Sequence, residues 1–194
     1  MFVEPVALDV VPAYARIAQS VVDIVLKRIG RRASDVDKTL AGSFRQMERR
    51  QPALAAFVAY ELSELSSQPL QSVAYRLSMV VFAAFEEAFG PRVGRVELGD
   101  INRALSRLVA DSELRSEWVP GNTYSEDAIA VGQPALVACL RAEVERGVSS
   151  QPDLQWDNLD RFYESLLAIV VVMTNAVVPQ GQPDDNLTQL TSSN

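Results

Sequence analysis

The chain has 194 residues, 48% of them apolar, 22% charged and 7% aromatic, and 18 Lys and Arg against 25 Asp and Glu give a net charge of −7. That apolar fraction excludes global disorder, and 9 Gly with a single Cys exclude collagen-like and disulfide-built classes. The absence of histidine removes the commonest general base and metal ligand. With it go Ser-His and Cys-His nucleophiles, histidine-ligated haem and a Glu-x-x-His di-iron bundle.

The first eleven residues are apolar but irregular between Pro5 and Pro12, and read as an extended arm. They do not read as a secretory leader, because Glu4, Pro5 and Asp9 interrupt them and no base precedes the apolar stretch. The first helix is predicted from Pro12 to Ile29, with Tyr14, Ile17, Val21, Ile24, Val25 and Ile29 inward and Gly30 as its stop. Ser34 caps a second helix to about Arg50, whose thin apolar face is Val36, Leu40, Phe44 and Met47. Lys38, Arg45 and Arg49 form a separate stripe on it at spacings of seven and four.

Pro52 opens a third helix to about Ser66, with Leu54, Phe57, Val58, Leu62 and Leu65 inward. Pro69 opens a fourth, which Gly90-Pro91 stops after Phe89. Its stretch Met79 to Phe85 is apolar all round, the pattern of a helix buried centrally or covered by a partner. After a glycine-rich loop, Asp100 caps a fifth helix with Ile101, Leu105, Leu108 and Val109 inward. Trp118 to Asn122 is turn chemistry. A sixth helix starts at Ser125, Gly132 and Pro134 split it from a seventh running to Arg146, and a last helix spans Asp157 to Val178.

No segment alternates with period two. The expected fold is therefore all-α: a single domain of seven or eight helices over residues 12–178, an arm at 1–11 and a polar tail at 179–194. The longest near-apolar run, Leu166 to Val178, falls short of the ~20 residues of a membrane span and reads as a buried helix. Cys139 has no cysteine to pair with and no base before Arg141, which makes it an inert core thiol and fits a reducing, cytoplasmic setting. The sequon Asn186-Leu187-Thr188 carries no meaning without secretion.

Carboxylates are the remaining route to chemistry. Glu61 and Glu64 form Glu-x-x-Glu on the third helix, and Glu86-Glu87 ends the fourth; such oxygens suit Mg²⁺ or Mn²⁺ in a phosphohydrolase. The blander reading is a solvated helix face. Glu61, however, interrupts the stripe Leu54, Val58, Leu65 and needs a partner there. An antiparallel pairing of the third and fourth helices sets Arg76 at its level, which predicts a structural Glu61–Arg76 bridge.

The charge is unevenly spread. Residues 27–50 hold eight bases against three acids, a net +5 that leaves −12 for the rest. Phe44 is the lone aromatic there, which argues against a stacking platform for single-stranded nucleic acid. A solvated face is the first reading of this segment, a protein partner or self-association the second, and nucleic acid the last. Trp118 and Trp156, in turns beside apolar residues, join Lys38, Arg45 and Arg49 as candidate partner contacts. The sequence thus predicts a non-catalytic structural or interaction subunit with no cofactor. Its contact surfaces would be the basic second helix and the apolar fourth and last helices. The metal-dependent phosphohydrolase is one alternative, and a regulatory domain with an apolar ligand between the fourth and last helices is another.

Overall fold

A computed structural model describes residues 11–30, 33–116, 125–150 and 156–180. Among them are eight α-helices: α1 (Gln19–Gly30), α2 (Ala33–Arg50), α3 (Pro52–Glu64), α4 (Gln68–Phe89), α5 (Leu98–Ser116), α6 (Ser125–Gly132), α7 (Pro134–Ser150) and α8 (Trp156–Asn175). The described residues contain no strand, only an isolated antiparallel bridge between Val93 and Val177. The fold is all-α. Residues 1–10 of the expected arm, the turn around Trp118 and residues 181–194 with the sequon lie outside the described residues.

The fourth helix is the axis of the molecule. Pro69 sits in its first turn, where a missing N–H costs nothing, and Gly90 ends it at φ 51°, a backbone state that suits glycine. Every residue from Leu77 to Phe85 is buried, and α1, α2, α3, α7 and α8 all pack around it. Burying a side chain such as Phe82 or Phe85 contributes about 1.5–3 kcal/mol over leaving it in water. The apolar run Leu166–Val170 of α8 is equally buried, against α4 and α5. The expectation that α4 and α8 offer apolar surface to a partner is thereby overturned: the chain covers both helices itself.

The helix starts marked by Pro52, Pro69 and Pro134 fall within a residue of expectation, and the departures have local causes. The predicted first helix is broken: Ala13–Ala15 form a short 3-10 turn, Arg16 is extended, and α1 begins only at Gln19. The fully buried side chain of Gln133 explains this. Its Oε1 accepts from the Ile17 N–H at 2.9 Å, and its Nε2 donates to the Ala15 carbonyl at 2.6 Å and to Thr174 Oγ1 at 3.1 Å. The backbone groups a helix would have used are taken by a distant amide. Val11 then lies over Gly132 so closely that a Cβ there would clash with the Val11 side chain.

The fifth helix starts two residues before Asp100, whose Oδ2 accepts from the Glu97 N–H at 3.2 Å, reaching back from the third helical position. The seventh helix passes through Gly147 to Ser150. The last helix ends at Asn175 because the chain straightens there to pair Val177 with Val93. Tyr14, Ile24 and Val109, expected inside, are exposed; Ala15, Val22 and Leu108 face the core in their neighbourhoods.

A second buried amide, Gln51, holds the segment between α4 and α5. Its Nε2 donates to the Gly94 carbonyl at 2.7 Å and its Oε1 accepts from the Val96 N–H at 2.8 Å. The Gly94 N–H also donates to the Ala176 carbonyl at 2.7 Å, so the segment is fixed to the end of α8 as well.

Candidate functional site on the second helix and its carboxylate neighbours

The second helix buries Leu40 and Met47 against the body of the protein, and Phe44 meets Tyr75 of α4 with ring centroids 5.8 Å apart. Burial raises the Tyr75 phenol above its ordinary pKa, with the nearby Arg45 opposing the shift. These inward contacts fix which residues face out. Lys38, Arg45 and Arg49 are all exposed, and none of the three has an ion-pair partner among the described residues.

The other described arginines of the basic segment behave differently. Arg28 pairs with Glu87 at 3.0 Å. Arg50 pairs with Glu86 and donates through Nη2 to the Gly90 carbonyl at 2.9 Å, stitching α2 to the end of α4. Gln46 Nε2 donates to the same Glu86 oxygen, Oε2, at 2.9 Å. Glu86 Oε1 is buried and has no hydrogen-bond partner among the described residues. Burial pushes the Glu86 carboxyl above the usual carboxylate range, against the pull of Arg50 and Gln46. These groups surround an open groove of about 480 Å³ between α1, α2 and α4, with Thr39, Gly42 and Ser43 on its α2 side.

The four carboxylates of the metal reading do not converge. Glu61 is buried on α3, Glu64 is exposed one turn on, and Glu86 and Glu87 are each held by an arginine. Among the described residues no three metal-ligating side chains come together. The predicted Glu61–Arg76 bridge is also replaced. Arg76 turns to Glu143 of α7 at 3.4 Å. Glu61 Oε2 accepts from Ser165 Oγ of α8 at 2.7 Å, and Arg161 lies 3.9 Å from its Oε1. The cause is which helix each face meets: α3 packs on α8 at Glu61, whereas the Arg76 side of α4 packs on α7. Burial pushes the Cys139 thiol up to about 11, with Glu143 adding to the shift, so the thiolate is scarce at neutral pH.

Among the candidate partner contacts, Trp118 lies outside the described residues and Trp156 is the first residue of α8, not a turn residue. Sequence reasoning missed both glutamine clamps. A faint signal exists, since Gln51 and Gln133 each directly precede a helix-opening proline. No helix among the described residues is long and apolar enough to cross a membrane. No protein-family model matches the chain, and neither a curated protein nor a solved structure is detectably similar to it.

Proposed function

We propose that this chain is a non-catalytic interaction protein that docks an acidic protein surface on the outer face of α2, as a subunit of an assembly of its own copies or with another chain. The observation that carries the reading is the outward stripe Lys38, Arg45 and Arg49, unpaired among the described residues of a chain whose net charge is −7. Such a chain has acids enough to neutralise three bases internally, as it does for Arg28 and Arg50. Leaving them outward favours complementary encounter with a negative surface, speeds association and selects partners. The fate of the catalytic candidates supports the same reading, because Glu61, Glu86 and Glu87 are spent on contacts between helices.

Light scattering after size exclusion at micromolar concentration tests the proposal, together with purification of the tagged chain from its native source. The expected result is a mass above the 21.3 kDa of one chain, or a stoichiometric acidic partner. Either assembly should dissociate in the triple variant K38E/R45E/R49E while helical circular dichroism is retained. A lone monomer from the native source, or an assembly indifferent to the triple reversal, overturns the reading.

A further inference from the structure

Away from α2, the pair α5 and α8 opens at one end into a groove of about 380 Å³. Its rim carries Arg95, Arg103, Arg107, Asp100 and Asn175. Its floor is small and apolar, with Ala104 and Val172 among its side chains. Asp100 pairs with Arg103, while Arg95 and Arg107 have no ion-pair partner among the described residues. Three guanidinium groups thus face one carboxylate, a local charge of +2 on an acidic chain.

The Asp100–Arg103 pair serves the helix itself, but nothing in its folding calls for Arg107 beside Arg103. Arg103 and Arg107 stand four apart on α5, where like charges repel. Arg95 reaches the same groove from the segment between α4 and α5, and that segment is the one Gln51 clamps on both sides of Arg95, through Gly94 and Val96. The Gly94 N–H bond to Ala176 fixes it to the end of α8. The backbone presenting the three bases is therefore set before any ligand arrives, which lowers the ordering cost of binding.

We propose that this groove binds a small dianionic ligand of the phosphate-monoester class. A monoester carries a charge of about −1.5 to −2 at neutral pH, which matches the local excess. Guanidinium forks match phosphate oxygens in pairs, which favours arginine over lysine at such a site. The volume falls in the range of small-molecule pockets, about 300–1,000 Å³, and the apolar floor leaves room for the ester's organic body. The Asn175 amide adds a neutral donor at the rim.

The test is isothermal titration of the full chain with a sugar phosphate, with inorganic phosphate and succinate as comparison probes. The expected order is sugar phosphate tightest, inorganic phosphate weaker and succinate weakest. Arg107→Ala and Arg95→Ala should each weaken the sugar phosphate about tenfold, the loss of one charge-assisted group. Lys27→Ala, which removes an exposed base on α1, should leave the titration unchanged. Circular dichroism of each variant separates lost binding from lost fold, and Arg107→Lys, which keeps the charge but loses the fork, should fall between wild type and Arg107→Ala. No heat with the sugar phosphate, equal affinity for succinate, or equal losses in Lys27→Ala and Arg107→Ala overturns the proposal. None of these outcomes bears on the α2 docking face, which is read by the mass of the assembly.

Discussion

Glu61 and Glu86 are withdrawn from water to the same degree, with side chains 8% and 9% exposed, yet the protein treats them differently. Around Glu61, where α3 meets α8, each carboxylate oxygen has its own neighbour: Ser165 on Oε2 and Arg161 near Oε1. Around Glu86, where α2 meets α4, Gln46 and Arg50 both crowd onto Oε2 and Oε1 is left bare. Burial alone therefore does not say what a carboxylate is worth. The distribution of donors does, because an unpaired oxygen bears its desolvation cost uncompensated. The contact at Glu61 is a finished tie between helices. The contact at Glu86 is an ion pair carrying an unmet demand, beside an open groove and under the outward stripe of α2.

Gln133 extends the satisfied side of this comparison and should show the largest effect. Gln133→Leu strips partners from the Ile17 N–H, the Ala15 carbonyl and the Thr174 hydroxyl at once, and should lower unfolding free energy by about 3 kcal/mol in urea titrations. Glu61→Ala should cost about 2 kcal/mol by the same measurement, through the lost α3–α8 tie and the gap left behind. Ser165 retains a fallback there, since the Arg161 carbonyl lies 3.1 Å from its Oγ and takes its one hydroxyl proton once Glu61 is gone, which keeps the cost below that of Gln133. An effect below about 0.5 kcal/mol at Glu61 would place it with ordinary surface positions and erase the contrast.

The same contrast marks what a sequence can reveal. The burial of Glu61 is legible from its place between Val58 and Leu65, because helical periodicity assigns faces. So are the starts of α3, α4 and α7, where proline fixes the first turn, and the central position of α4, whose middle has no polar face. Partners are not legible. Ser165 lies 104 residues from Glu61, and Glu143 and Arg76 stand on helices whose contact depends on how five helices surround α4. Nor does the Gln-Pro pair identify a clamp. Gln51 and Gln133 are buried, but Gln68 before Pro69 has the same local signature and is exposed. The groove between α5 and α8 escaped for a related reason. Arg103 and Arg107 stand one turn apart on α5, and only the fold brings Arg95 beside them.

The smallest effect is the most diagnostic. At neutral pH Glu86→Gln should change stability by no more than about 1 kcal/mol, since loss of the Arg50 pairing is offset by removal of a buried charge. Its pH dependence carries the sign. The folded carboxyl is raised above the 4.5 of the ordinary group, with burial as the leading cause. Between those two values the folded chain holds more protons than the unfolded chain, so the contribution of Glu86 is greatest at low pH and is lost as pH rises through the window. A glutamine contributes nothing there. Subtracting the two unfolding free energies cancels every other titrating group, so the variant should gain on the wild type as pH rises from about 4 to 7. The reverse trend would mean that Arg50 and Gln46 outweigh the desolvation of Oε1. Glu86 would then belong with Glu61 as a second finished tie.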